Sequence, residues 1–244
     1  MIKTNKNSKI AENKVILYRR ILTLLFTILI VSGVYSQEIL TATDYFNQLA
    51  NTYAEIEDYQ ADVTITRSGV VMSGVLFHKY PAKLRINFSN PEEQIIAFDG
   101  KRLVIYIPKY RVTMAQNVNP RDQVTTGASI ASKEGLALLK RNYTVAYLES
   151  PNPVPLDREI PRSEMVIKLK LVWRSTEEGF RQIDISVGAN GYIRRVVGIT
   201  PENDQIQFDF VNISINQNIP DIRFEYTLPP AANVFENFLF DPGN

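Results

Sequence analysis

The sequence predicts a mainly β (α+β) chain: a large antiparallel sheet with one N-terminal helix and one helical insertion. Three observations carry this. Segments of two-residue alternation recur along most of the chain, "KLRINF" at 83–88 and "MVIKLKLVW" at 165–173 being the clearest. Two turn dipeptides, Asp99-Gly100 and Asn190-Gly191, each separate two such segments, as tight hairpins require. Helical spacing shows in two stretches, 41–59 and 132–143.

The first 36 residues stand apart from the rest. Lys3, Lys6, Lys9, Lys14, Arg19 and Arg20 precede the apolar run "ILTLLFTILIV". That run is short for a membrane span, which needs about 20 residues. Val34 and Ser36 occupy the −3 and −1 positions of a cleavage site before Gln37. Residues 1–36 are therefore expected to be a secretory signal peptide, cleaved near Ser36/Gln37. The alternative is an uncleaved N-terminal anchor. Residues 37–244 are expected to form a single domain exported to the periplasm. With no cysteine in the chain, there is no residue to receive a lipid anchor, and the exported protein is expected to be untethered.

In order, the helix "TATDYFNQLANTYAEIEDY" opens the exported part, with Thr41 and Asp44 as its cap pair. Phe46, Leu49, Tyr53 and Ile56 form its apolar face. Strands follow in "ADVTITR", "VVMSGVLFHKY", "KLRINF", "QIIAF", "RLVIYI" and "YRVTMAQ". Residues 117–142 lose the alternation, and "SKEGLALLKRNY" reads as a short helix capped by Ser132. Gly135 inside it costs about 1 kcal/mol relative to alanine. Residues 150–161 carry four prolines and are expected to be a loop. "MVIKLKLVW", "RQIDISV", "YIRRVVGI", "DQIQFDFVNISI" and "IRFEY" complete about ten or eleven strands, an antiparallel meander with one wet face.

Charge and composition exclude several functions. Residues 1–36 hold six basic side chains and one acidic; of the chain's 27 and 26, that leaves 21 and 25, a net of −4. A mildly acidic body gives no footprint for nucleic acid. One histidine and no cysteine leave neither a Cys-His pair nor a multi-histidine metal site. No G-x-S-x-G elbow or phosphate-binding glycine loop is present. His78 lies mid-strand with no serine context, so a surface or rim position is expected for it. Glu92-Glu93 and Glu177-Glu178 sit beside turns and read as solvated charges, though paired acids also serve glycosidases.

So large a sheet must bury one face, and two short helices are its only other partners. A curled sheet with a helix on its concave side leaves room for a cavity. Phe46 and Leu49 of the helix would line it, with Leu84, Ile86, Phe88, Ile105, Met114, Ile167, Leu169, Leu171 and Ile185 of the strands. Alternation alone does not distinguish such a cavity from a filled core.

Residues 72–118, "MSGVLFHKYPAKLRINFSNPEEQIIAFDGKRLVIYIPKYRVTMAQNV", resemble the LolA family of outer-membrane lipoprotein carriers. Gly74, Pro81, Pro91, Asp99-Gly100-Lys101, Leu103, Tyr106 and Pro108 fall at the family's strand, turn and hairpin positions. "IRFEYTLPPAANVFE" resembles its closing segment, and Asn190-Gly191 fits its late hairpin. The resemblance runs over roughly 40–240. It implies an incomplete antiparallel β-barrel with a helical lid, here carrying Leu136 and Leu139, over a hydrophobic cavity. It also implies a monomeric carrier without cofactor, metal or catalytic group. Its ligand would be lipoprotein acyl chains, received from an inner-membrane ABC transporter and delivered to an outer-membrane acceptor. A paralogue binding another lipid, an envelope sensor module and a carboxylate-dependent hydrolase are the alternatives. The hydrolase needs two carboxylates facing the cavity.

Two positions depart from the family pattern. Its lid-latch arginine before the proline is replaced by Tyr80, after Lys79, and the aromatic after the hairpin leucine by Val104. Tyr80 can still donate a hydrogen bond but carries no charge. The expectation is a weaker latch, so that Tyr80→Arg slows transfer. A charge at Leu169 or Ile86 is expected to abolish lipid loading more than it harms folding.

Overall fold

Helix α1 spans Ala42–Ala54. The Thr41 Oγ1 accepts the Asp44 amide at 3.1 Å and donates to the Asp44 carboxylate at 2.6 Å, so the expected cap pair closes the first turn. Phe46, Leu49 and Tyr53 are buried along one face. The computed structural model describes residues 40–118, 130–176, 178–227, 229–230 and 232–238. The expected signal peptide, its cleavage site and Glu177 lie outside them.

Thirteen strands among the described residues form one sheet. They are β1 (Asp58–Arg67), β2 (Val70–Lys79), β3 (Lys83–Asn90), β4 (Ile95–Phe98), β5 (Arg102–Ile107), β6 (Val112–Asn117), β7 (Tyr143–Tyr147), β8 (Val154–Pro155), β9 (Met165–Trp173), β10 (Gln182–Gly188), β11 (Ile193–Ile199), β12 (Gln205–Ile215) and β13 (Asn233–Glu236). The order is β13-β6-β5-β4-β3-β2-β1-β12-β11-β10-β9-β7, with β8 beside β9. Two meanders thus meet where β1 pairs with β12. The sheet does not close, and β13 and β7 are its edges. Helix α2 (Lys133–Asn142) interrupts the run of strands before β7.

Both predicted hairpins form. Gly100 and Gly191 have φ of +99° and +79°, values that a side chain disfavours. Gly74 is needed for a different reason: a Cβ there would lie 2.7 Å from the Phe88 Cα and closer still to the Asn87 carbonyl oxygen. The register between β2 and β3 shifts at that point, and the two backbones approach too closely for a side chain.

Some sequence expectations fail. "IRFEY" is no strand: Asp221–Phe224 is a 3-10 turn within a segment that crosses the sheet and so finds no strand neighbour. The alternation reading omits β7, β8 and β13, strands of five, two and four residues. β13 runs parallel to β6, the exception in an otherwise antiparallel sheet.

Cross-strand register sorts the side chains by face. Ala61, Leu76, Ile86, Ile96, Ile105 and Met114 stand opposite one another along β1 to β6, so they share one face. The helices pack on this concave face, since Phe46, Leu49, Leu136 and Leu139 join Leu76 and Ile86 in one apolar cluster. The opposite face was expected to be wet, yet Phe77 is buried there with Ile219 and Phe224. The chain after β12 forms a strap over β2 and β3. Arg85 Nη1 donates to the Arg223 and Glu225 carbonyls at 3.0 and 2.9 Å. Lys79 and Lys83 hold the Asp221 carboxylate at 2.7 and 2.8 Å. Together the two ammonium groups lower its pKa to about 2.

Candidate functional site

The concave face holds most of the residues predicted to line a cavity. Phe46 and Leu49 of α1, Leu84, Ile86 and Phe88 of β3, Leu169 and Leu171 of β9, and Ile185 of β10 are buried in the one cluster. Leu136 and Leu139 of α2 complete it, at 0% and 1% exposure. In this conformation these side chains touch one another. Helices α1 and α2 occupy the hollow that the curled sheet leaves.

Three predicted residues lie outside that cluster. Ile105 and Met114 are half-buried, facing each other on β5 and β6. They extend the row of Leu76 and Ile86 beyond that cluster, through half-buried Ile96, which packs against it. Ile167 is half-buried against a cleft of about 280 Å³ between α1 and the β9–β10 end of the sheet. Tyr45, Gln48, Leu49 and Thr52 form its helix wall, and Pro153, Met165, Val187 and Ala189 its far side. No carboxylate lines this cleft. Glu92 and Glu93 are exposed in the turn after β3, away from both features.

Helix α2 sits where a lid is expected. The Ser132 Oγ accepts the Gly135 amide at 3.1 Å and caps it as the sequence predicts. Its first residue, Lys133, places its ammonium over the Tyr80 ring, 5.2 Å from the centroid. The predicted latch residue therefore meets α2 through its aromatic face. Sequence reasoning considered only its phenol, because the partner lysine lies 53 positions further along the chain. Two further polar atoms on the helices, Asn47 Oδ1 on α1 and Glu134 Oε2 on α2, are buried without a hydrogen bond. Burial raises the Glu134 carboxyl above its ordinary range.

The structure also brings together buried polar groups that the sequence did not single out. His78 is 5% exposed, against the expected surface or rim position. Leu76, Phe77 and His78 are consecutive and all buried, because helices cover one face of β2 and the strap the other. The His78 ring stacks on Tyr59 with centroids 5.2 Å apart. Burial lowers its pKa to about 4, with Asp58 opposing the shift. The Asp58 carboxylate itself takes the Gln217 and Ile219 amides of the strap at 2.7 and 3.0 Å. Tyr59 was legible after all: it continues the alternation of Ala61, Val63 and Ile65 by one step.

A curated protein named outer-membrane lipoprotein carrier protein, from Bordetella avium (strain 197N), is 24% identical over 195 residues, covering 77% of this chain and 85% of its own length. An uncharacterized conserved protein from Thermus thermophilus superposes with a TM-score of 0.49 at 12% identity, covering 78% of this chain and 96% of that one. Mycobacterium tuberculosis lipoprotein LppX superposes with a TM-score of 0.43 at 10% identity, covering 73% and 97%. Residues 60–227, from β1 through the strap, match the family described as outer membrane lipoprotein carrier protein LolA, and the chain belongs to the LolA family.

Proposed function

We propose that the protein is a periplasmic carrier that shields the acyl chains of lipoproteins and transfers them from the inner to the outer membrane. The observation that carries this is the row Leu76, Ile86, Ile96, Ile105 and Met114. It begins in a closed core under two helices and continues, still apolar, into half-buried positions. Sliding α2 aside would join the two parts into one greasy trough. Each CH₂ withdrawn from water is worth about 0.8 kcal/mol, so acyl chains cross an aqueous compartment only when enclosed. A movable cover lets the same surface stay closed when empty.

The reading assigns residues 1–36 to a cleaved leader and the remainder to one lipid-binding domain. An inner-membrane ABC transporter would load it and an outer-membrane acceptor would unload it. Transfer of this kind makes and breaks no covalent bond, so it asks for no catalytic group, metal or cofactor. Phe46, Leu49, Leu84, Ile86, Phe88, Leu169, Leu171 and Ile185 would line the opened trough, with Ile105, Met114 and Ile167 at its margins. The test is purification from an envelope extract under conditions that preserve complexes, followed by mass spectrometry of the bound material. Acylated molecules in stoichiometric amount are expected. Recovery of protein free of any acyl chain would sink the proposal.

A further inference from the structure

We infer that Tyr59 and His78 form a polar subsite on the concave face that binds the carbonyl oxygen of an ester- or amide-linked acyl group. The inference rests on the carrier reading and names the part of the cargo that this chain recognises. Tyr59 Oη and His78 Nδ1 are both buried with no hydrogen-bond partner. The residues are 4% and 5% exposed, and their rings stack at 5.2 Å, 23° from coplanar. They stand opposite each other on β1 and β2, in a row that continues through Leu84, Phe98 and Leu103. Two unsatisfied polar groups therefore sit together within an apolar row, between Ile215 of β12 and Leu84 of β3.

Leaving a buried polar atom unpaired destabilises a fold, and phenylalanine would pack in either place without that cost. The nearby Tyr53 shows the contrast: its hydroxyl already accepts the Ile193 amide at 3.0 Å. Asp58 is likewise engaged by the strap. Tyr59 and His78 thus retain free capacity. The chemistry of a fitting ligand follows from their charge. With its pKa lowered to about 4, His78 is a neutral imidazole at pH 7. A phenol, and a neutral imidazole in its Nδ1–H tautomer, are uncharged donors, suited to a neutral acceptor. A carboxylate would have to be desolvated with no cation facing it, which is unfavourable. The carbonyl of an acyl ester or amide is neutral, accepts only, and lies at the head of an apolar chain. The row gives such a chain apolar surface beside the pair, through Leu84, Phe98 and Leu103.

Binding of three probes to the full chain tests this. They are a dipalmitoylglyceryl-cysteine peptide, its di-O-hexadecyl ether analogue without ester carbonyls, and an N-palmitoyl peptide of the same sequence. The wild type is expected to bind the ester about tenfold more tightly than the ether. Tyr59→Phe is expected to bring that ratio close to one, with Tm unchanged or raised. His78→Leu, the second variant, is expected to do the same. If N-palmitoyl binding falls with the ratio, the amide carbonyl uses the same site; if it holds, the ester carbonyl is the ligand. Equal binding of ester and ether by the wild type overturns the inference. So does a ratio that both variants leave unchanged, the result expected if the two groups merely hold a buried water. A wild type that binds none of the probes removes the carrier reading and this subsite with it.

Discussion

The Lys133 ammonium lies over the Tyr80 ring, 5.2 Å from its centroid, joining the first residue of α2 to the end of β2. This reverses the polarity of the latch inferred from the family pattern, with the cation on the helix and the acceptor on the sheet. An exposed contact of this kind is worth about 0.5–1 kcal/mol. Lys133→Gln should therefore speed release of bound lipid about two- to fivefold. Tyr80→Arg should speed it too, because it sets two cations against each other. The sequence alone suggested the opposite sign for Tyr80→Arg. Stopped-flow transfer of a fluorescent acyl probe to vesicles decides between them.

Burial redirects the test of the trough. Leu169 is 0% exposed and Ile86 2%, so a charge at either is an uncompensated buried charge. Leu169→Asp should unfold the protein rather than selectively block loading. Met114→Glu and Ile105→Asp place the charge at half-buried positions on the same face. They should lower acyl-probe affinity about tenfold or more while leaving most of the Tm intact. Thermal melts and binding isotherms on the same preparations provide the check, and parallel losses in both would make these residues plain core.

Acid should destabilise the protein through His78. Its pKa is lowered to about 4 in the folded state, against 6.5 when unfolded. Between those values the unfolded chain binds the extra proton, so stability rises with pH across the window. The contribution is complete above about 6.5 and lost as pH falls towards 4, amounting to about 3 kcal/mol. Urea unfolding at pH 7 and pH 4.5 measures it. His78→Leu should flatten the difference, and a wild type equally stable at both pH values would show that the imidazole is not held neutral.

The strap depends on Arg85, which donates to two of its carbonyls and stands 5.7 Å from the centroid of the Tyr226 ring. Its Nε also donates to Asn87 at 2.7 Å. Arg85→Ala should cost about 2 kcal/mol and raise hydrogen exchange in residues 216–226 before the rest of the chain. Uniform exchange changes across the sheet would mean that the strap is not a separable unit.

The long alternating strands, both glycine hairpins and both capped helices were legible in the sequence. Each is fixed by local chemistry: side-chain period, the left-handed backbone at Gly100 and Gly191, and hydroxyl caps at Thr41 and Ser132. The inward faces followed from the same period, which is why Leu84, Ile86 and Leu169 are where the alternation put them. Only the tertiary structure decided what covers each face. The strap buries Phe77 and turns "IRFEY" into a 3-10 crossing, and the two covers together bury His78. Lys133 meets Tyr80, and Tyr59 meets His78, through contacts that bridge distant parts of the chain or neighbouring strands. Side-chain period says which way a residue points. What it meets there depends on chain that arrives from elsewhere, and no local pattern encodes that.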